Sequence, residues 1–221
     1  MIKTIKTGFD KEIQKIKQTF WGALEKQEKL TKKIIEQVRR EGDRAVVKFT
    51  KKFDGVKLAP KNFEVSQAEW QTVKKVPPKI KEIIFLAAQN IRKFHLREIP
   101  RSWLIKKDGK ILGKKFTPIE KVGLYIPGGR ALYPSTVLMN GIPAKIAGVS
   151  EIIMATPSAR DGKVSPVILL AAKLAGVNRV FKIGGAQAVA ALALGTKFIP
   201  KVDKIVGPGN VYVTLAKKLL F

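Results

Sequence analysis

Three polar side chains lie beside glycine-rich loops, where they could bind a ligand. Tyr125 precedes the loop Pro127-Gly128-Gly129, Gln187 follows Gly184-Gly185, and Asn210 follows Gly207-Pro208-Gly209. Glycine lets backbone N–H groups approach a ligand closely, and a helix that begins after such a loop attracts phosphate with its first N–H groups. The pattern is typical of binding a phosphate-containing ligand through backbone groups and a few side chains.

These loops follow strands of a predicted parallel sheet. From Val122 onward, four β-rich runs alternate with apolar helical segments, and the predicted strands are residues 122–126, 152–156, 180–183 and 204–206. Such alternation implies parallel strands with right-handed crossovers, and hence the α/β fold class. Ligands of open parallel sheets bind beyond the carboxyl ends of the strands, so the three loops should lie along one edge and form one site.

Each of the three side chains also has a purely structural interpretation. Asn210 is a good helix N-cap without any ligand, and the two roles are compatible. Tyr125 is equally well explained as an ordinary aromatic residue of a strand. Gln187 lies in an otherwise apolar run, where a helix packed on a sheet takes apolar side chains, so ligand contact is favoured. A G-x-G-x-x-G dinucleotide fingerprint does not follow any predicted strand.

The residues before about 121 are predicted to form a mainly helical and highly charged α/β region. Its predicted caps and breaks are Thr31 before a helix to Arg40, Gly42 at the end of that helix, Asp43 before the next helix, the turn Asp54-Gly55, the capping box from Ser66 to Glu69, and Pro77-Pro78. A later amphipathic helix should pack on a core through one stripe. The stripe comprises Ile80, Ile83, Ile84, Ala87, Ala88, Ile91 and Phe94.

The change from charged helical sequence to alternating strands and helices near residue 121 contributes to a division of the chain into three predicted parts. Residues 1–25 are predicted to be an N-terminal helical arm that packs elsewhere, and residues 26–121 to be the helical part of a first, incomplete domain. Residues 122–221 are predicted to be the domain that contacts the ligand. Neither a secretory signal nor a membrane-spanning run is apparent, and a cytoplasmic location is expected.

Histidine and cysteine usage limits the metal chemistry that the chain can perform. The sequence has no cysteine, and its single histidine, His95, follows an amphipathic helix, where a packed or capping role is favoured. A zinc site with several imidazole or thiolate ligands therefore cannot form within this sequence. Asp203 is expected to support the turn before the fourth strand. We predict no metal ligand and no catalytic residue within the chain.

The strongest compositional signal is a formal net charge of +26 with a pI near 10.3. Such an excess raises the possibility of a nucleic-acid partner. The basic residues are spread along the chain in pairs separated by apolar helical positions, a pattern typical of solvated faces. Solvated surfaces are thus favoured, and nucleic-acid binding is the less favoured interpretation.

At the glycine-rich loops the sequence resembles the histidinol dehydrogenase family. The matching strings are Val122-Gly123-Leu124-Tyr125-Ile126-Pro127-Gly128-Gly129-Arg130, Tyr133-Pro134-Ser135-Thr136-Val137-Leu138-Met139-Asn140, Gly184-Gly185-Ala186-Gln187-Ala188, and Pro200-Lys201-Val202-Asp203-Lys204-Ile205-Val206-Gly207-Pro208-Gly209-Asn210. Shorter matches precede them, including Phe53-Asp54-Gly55-Val56 and Phe94-His95. The resemblance extends from about Ile34 to Phe221.

The resemblance implies a function and a cofactor site. The family oxidises L-histidinol through histidinal to L-histidine with NAD and a zinc ion, and its members are expected to be homodimers. Its NAD contacts fall on the positions of Tyr125, Gln187 and Asn210. Its incomplete Rossmann-like domains lack the usual glycine fingerprint, so residues 122–221 are expected to be a Rossmann-like, NAD-contacting domain with about four βα units.

The resemblance also implies that this sequence corresponds to the N-terminal half of the family. The family's substrate-binding serine, zinc ligands and acid/base pair follow the fourth βα unit and have no counterpart here. We therefore expect the chain to be inactive in histidinol oxidation by itself. Two alternatives remain: one half of a split enzyme that needs a separate C-terminal chain, or a non-catalytic basic derivative that binds nucleic acid.

Overall fold

The computed structural model describes residues 9–128 and 131–220. Its helices are α1 (Phe9–Glu41), α2 (Asp43–Asp54), α3 (Gln67–Gln71), α4 (Pro78–His95), α5 (Pro134–Ile146), α6 (Pro166–Ala175), α7 (Gly185–Leu194) and α8 (Val211–Leu220). Its strands are β1 (Trp103–Lys107), β2 (Lys110–Lys114), β3 (Lys121–Tyr125), β4 (Glu151–Ala155), β5 (Arg179–Phe181) and β6 (Lys204–Val206). Short 3₁₀ turns occupy Pro60–Asn62 and Thr72–Lys75.

The predicted parallel sheet is confirmed. Strands β3 to β6 form one four-stranded sheet in the order β5-β4-β3-β6, and every neighbouring pair is parallel. The chain moves outward from β3 to β4 and β5, then returns across the sheet to place β6 on the other side of β3. The strand order therefore reverses between β3 and β6, and this switch point is where open α/β sheets bind ligands.

Helices cover both faces of the sheet, as its continuous apolar strands require. On one face, α5 and α6 pack together and α4 packs against both; on the other, α1, α2 and α8 pack against α7. Alternate residues of β3 enter the two cores: Leu124 joins the first, and Tyr125 the second. The side chain of Tyr125 is thereby directed toward α7 and the N-terminal helices.

The segment after the first 3₁₀ turn covers the free edge of β5. The backbone N–H of Val65 donates to the carbonyl of Val180, and the N–H of Lys182 donates to the carbonyl of Phe63. Glu64 forms an ion pair with Arg179, and Glu69 forms a buried ion pair with Lys182 at 2.8 Å. The edge of β5, which has no neighbouring strand in the sheet, is thus hydrogen-bonded to this earlier segment of the chain.

Several sequence-based expectations for the N-terminal region are corrected. Thr31 does not cap a helix, because it lies inside α1 and its hydroxyl donates to the carbonyl of Gln27, a back-bond that accommodates threonine in a helix. Helix α1 also continues through the division predicted at residue 25, and residues 1–8 of the predicted arm lie outside the described residues. Gly42, with φ +56°, is the N-cap of α2 in place of Asp43, whose carboxylate accepts a hydrogen bond from Thr196. The three-part domain division stays a prediction.

The predicted apolar stripe of α4 is wrong in part. Ile84 and Ala88 are buried, but Ile83 is 54% exposed and Phe94 is 63% exposed. The helix packs on α5 and α6 along a narrower face than its apolar sequence predicts.

The predicted capping box is confirmed, since Ser66 and Glu69 exchange side-chain and backbone hydrogen bonds at the start of α3.

A β-hairpin in the first region was not predicted. Strands β1 and β2 pair antiparallel around Asp108-Gly109, where both φ angles are positive. An Asp-Gly turn between alternating apolar and polar residues is a hairpin signal, and it was present in the sequence.

Within the described ranges, no helix has both the length and the apolar character needed to cross a membrane.

Candidate functional site

A cavity of about 460 Å³ opens at the switch point of the sheet. All three predicted side chains, Tyr125, Gln187 and Asn210, line it. The other lining residues are Leu30, Ile34, Phe53, Asp54, Pro127, Gly128, Pro157, Gly185, Ala186 and Tyr212. The predicted convergence of three separate loops is therefore confirmed, and its volume lies in the usual range for a small-molecule site.

Tyr125 ends β3 and is almost completely buried. Its phenol oxygen accepts a hydrogen bond of 3.1 Å from the backbone N–H of Gly185, the first residue of α7. Burial raises the pKa of Tyr125, a hydrogen bond from Gly185 opposes that rise, and the nearby charge of Asp54 adds to it. The side chain is thus a neutral phenol that retains its own O–H as a donor.

Gln187 is fully buried in the first turn of α7. Neither its Oε1 nor its Nε2 has a hydrogen-bond partner among the residues that the structure describes. A buried amide without partners costs roughly 1–3 kcal/mol per group, so proteins seldom keep one without a use for it. The amide presents a donor and an acceptor to the cavity.

Asn210 has the cap role that its sequence position predicts. Its Oδ1 accepts hydrogen bonds from the backbone N–H groups of Tyr212 at 3.1 Å and Val213 at 3.2 Å, which caps α8. The cap uses Oδ1, so Nδ2 is the group that remains to donate to a ligand. Lys217 fixes the preceding loop, because its ammonium donates to the carbonyl of Gly207.

Two glycines keep the backbone of the site close to the side chains. At Gly207, with φ +110°, a Cβ atom would lie 2.0 Å from the carbonyl oxygen of Tyr125. At Gly185, with φ +65°, a Cβ atom would lie 2.6 Å from Oε1 of Gln187. At Gly207 both the backbone angle and the contact with backbone exclude a larger residue, whereas at Gly185 the backbone angle disfavours one.

Asp54 is a site residue that sequence reasoning missed, because it was interpreted as part of a turn with Gly55. It ends α2, lines the cavity, and lies close to Gly184, which precedes α7. Its Oδ2 is buried and has no partner within the described residues. Burial raises the pKa of Asp54 to about 6, although the neighbouring backbone N–H of Gly184 lowers it.

Two other polar residues have structural contacts away from the cavity. Oδ2 of Asp203 accepts a hydrogen bond of 2.7 Å from the backbone N–H of Lys121, which joins the start of β3 to the turn before β6. His95 contacts Glu98 at the end of α4. In the described part of the chain, three or more His, Cys, Asp or Glu side chains nowhere come together as a metal-ligand group.

Comparison with known proteins agrees with this geometry. The family model described as histidinol dehydrogenase matches residues 22–221. The chain belongs to the histidinol dehydrogenase family. Histidinol dehydrogenase from Aquifex aeolicus is 54% identical over 89% of this chain, and that from Synechococcus is 50% identical over 86%.

The family fold is also shared with a solved structure. The crystal structure of histidinol dehydrogenase from Elizabethkingia anophelis has a TM-score of 0.82 and 40% identity over 87% of this chain. The match covers 44% of that structure and 45% of the Aquifex protein, so the chain spans a little under half the length of these relatives.

Proposed function

We propose that this chain is the N-terminal half of a histidinol dehydrogenase and that its switch-point cavity binds NAD. The observation that carries the proposal is the buried amide of Gln187, which has no protein partner in the described residues and faces a cavity beside Tyr125. The reaction proposed for the whole enzyme is the oxidation of L-histidinol through histidinal to L-histidine. Bound NAD would supply the hydride acceptor for that oxidation.

The residues of the cavity suit a dinucleotide. The amide of Gln187 offers a donor and an acceptor, Nδ2 of Asn210 offers a donor, and the phenol of Tyr125 offers a donor. Gly185 and Gly207 let backbone approach the ligand, and the positive dipole ends of α7 and α8 lie near the cavity, where they favour phosphate. The apolar walls from Leu30, Ile34 and Phe53 would shield an aromatic ring from water.

The zinc ion of the family does not fit the residues of this chain. One histidine and no cysteine cannot supply its ligand set, and the described acidic residues do not gather into one. We therefore place zinc and the proton-transfer groups in the part of the family outside this sequence. We also propose L-histidinol as substrate, a homodimer as the oligomeric state, and a cytoplasmic location.

The comparisons do not favour a basic derivative that binds nucleic acid or a split enzyme. The family match runs over residues 22–221 without interruption, and the identities near 50% are to proteins named for the dehydrogenase. The charge of +26 is then a property of solvated surfaces.

Calorimetric titration of NAD into the chain tests the proposed site. We expect saturable binding at one site, and a Kd raised about tenfold or more in Gln187→Ala, because the amide makes up to two hydrogen bonds. Gln89→Ala, at an exposed position of α4, is the matched control and should bind as the unaltered chain does. Absence of NAD binding by the unaltered chain would contradict the proposal.

A chimera tests the proposed activity. This chain would replace the 54% identical segment of the Aquifex aeolicus enzyme. We expect NADH formation that depends on L-histidinol, with a raised KM for NAD when Gln187 is changed to Ala. A folded chimera that binds zinc but forms no NADH would contradict the assignment of activity.

A further inference from the structure

A buried ion pair lies just before the loop that leads into α7. Nζ of Lys182 donates a hydrogen bond of 2.8 Å to Oε2 of Glu69, and the exposed fraction of the side chain is 8% for Lys182 and 10% for Glu69. Lys182 follows β5 directly and precedes Gly184 by two residues. Neither member of the pair lines the switch-point cavity, so a ligand bound there does not contact them.

The carboxylate of Glu69 is also held by the capping box of α3. Its Oε2 accepts hydrogen bonds of 3.1 Å from both the backbone N–H and the hydroxyl of Ser66. Burial raises the pKa of Glu69, but the hydrogen bonds from Lys182 and Ser66 lower it more, so the pKa lies below its usual value. The carboxylate is therefore ionised at neutral pH and holds the ammonium of Lys182 in one place.

Backbone hydrogen bonds join the same two segments. The N–H of Lys182 donates to the carbonyl of Phe63 at 2.7 Å, and the N–H of Val65 donates to the carbonyl of Val180 at 2.8 Å. The segment 63–69 thus holds the end of β5 by two backbone hydrogen bonds and the ion pair. These contacts fix the point from which the chain leaves the sheet toward α7.

The loop after Lys182 is short and rich in glycine. Only four residues separate Lys182 from Gln187, and two of them are glycines. Gly185 has φ +65°, and its N–H donates to the phenol oxygen of Tyr125. Because glycine restricts the backbone less than any other residue, the path of this loop depends on how its two ends are held. A shift of Lys182 would therefore move the Gly185 N–H and the Gln187 amide.

Stability alone does not explain a buried ion pair at this position. Removing two charges from water costs about as much free energy as their attraction returns, and apolar side chains of similar volume often stabilise a protein as well or better. Oε1 of Glu69 is moreover buried and has no hydrogen-bond partner in the described residues, which adds a further cost. The geometry that the pair imposes on the chain is a reason to keep it.

We propose that Glu69 and Lys182 are a positioning pair for the dinucleotide site. Their ion pair sets the direction in which the chain leaves β5, and thereby the positions of the Gly185 N–H and the Gln187 amide. Both residues act through the loop and not through contact with the ligand. This inference rests on the proposed function and deepens it, because it names residues outside the cavity that determine the affinity for NAD.

The double variant Glu69→Gln and Lys182→Met tests the inference. Glutamine keeps an acceptor for the capping box, and no buried charge is left without a partner, so the melting temperature should stay close to that of the unaltered chain. We expect the Kd for NAD, measured by calorimetry, to rise about fivefold. The amide resonance of Gly185 in a ¹H–¹⁵N NMR spectrum should also shift, because its hydrogen bond to Tyr125 depends on the path of the loop.

The ion pair between Glu64 and Arg179 provides the matched control. It joins the same segment to the first residue of β5, at the opposite end of the strand from the loop. The double variant Glu64→Gln and Arg179→Met should leave the Kd for NAD and the resonance of Gly185 unchanged. An equal rise of the Kd in both double variants would show that any loosening of the β5 edge weakens binding, which would overturn the inference.

The single variant Glu69→Gln decides the question if the first double variant does not fold. It keeps an acceptor for Lys182 but removes the ionic attraction, and we expect the Kd for NAD to rise about threefold. A folded variant of the pair, single or double, that binds NAD with an unchanged Kd overturns the inference and leaves the proposed function standing. If the unaltered chain binds no NAD, both are overturned.

Discussion

The phenol oxygen of Tyr125 accepts a hydrogen bond from the backbone N–H of Gly185, 60 residues later in the chain. This bond joins the carboxyl end of β3 to the N-terminus of α7, the helix that carries Gln187. The bond therefore fixes two sides of the switch-point cavity relative to each other. It also gives Tyr125 a structural role alongside its proposed contact with NAD.

Tyr125→Phe should weaken both stability and NAD affinity. The substitution leaves the N–H of Gly185 without its acceptor, so the free energy of unfolding should fall by about 1–2 kcal/mol. The Kd for NAD should rise severalfold, because the position of α7 is less well fixed. Urea unfolding and calorimetry measure the two effects. Tyr133→Phe, at a partly exposed tyrosine, should change neither quantity.

Gln187→Leu should make the protein more stable and a poorer NAD binder. Leucine has a similar volume and fills the same buried position without an unsatisfied amide, so the free energy of unfolding should rise by about 1 kcal/mol. Thermal unfolding and NAD titration on one sample check both changes. In Gln89→Leu, on the exposed side of α4, neither change is expected. A loss of stability in Gln187→Leu would show that the amide has a structural partner.

Gly207→Ala should disrupt the loop that precedes α8. A methyl group there would lie 2.0 Å from the carbonyl oxygen of Tyr125, in a backbone conformation that alanine disfavours. We expect a loss of several kcal/mol or failure to fold, read by circular dichroism and thermal unfolding. Gly22→Ala is the control, because no atom lies within 4 Å of its Cβ position in α1. Greater helix propensity should stabilise that variant by about 1 kcal/mol.

Asp54→Asn should change how stability depends on pH. Burial raises the pKa of Asp54 from its usual 3.8 to about 6, so in this pH window the folded state holds a proton that the unfolded state has lost. The contribution of Asp54 to stability therefore falls as pH rises through the window. The stability of Asp54→Asn relative to the unaltered chain should increase from about pH 4 to pH 7 in urea unfolding. A constant difference would contradict the raised pKa.

The sheet and the three cavity residues could be predicted because both follow from local patterns. Strands, glycine loops and helices alternate regularly after Val122, and parallel topology then brings Tyr125, Gln187 and Asn210 to one edge. Boundaries differ by one or two residues at β3, β4 and β5, where burial continues past the hydrogen-bonded ladder.

The remaining features depend on tertiary packing, which local patterns do not encode. Asp54 enters the site because α2 packs on α7, a contact between segments more than 130 residues apart. Thr31 continues a helix instead of starting one, since it is buried in the part of α1 that also buries Ile34 and Val38. Several apolar residues of α4 are exposed, so the apolar stripe of a helix sets an upper limit on the surface that it can bury. How much of that surface is buried depends on the elements that pack against the helix.

A crystal structure of the chain grown with NAD would show where the dinucleotide binds. We expect density for the dinucleotide in the switch-point cavity, within hydrogen-bond distance of the Gln187 amide and beside Tyr125 and Asn210. Density for NAD at another surface, with the amide of Gln187 still without a partner, would contradict it.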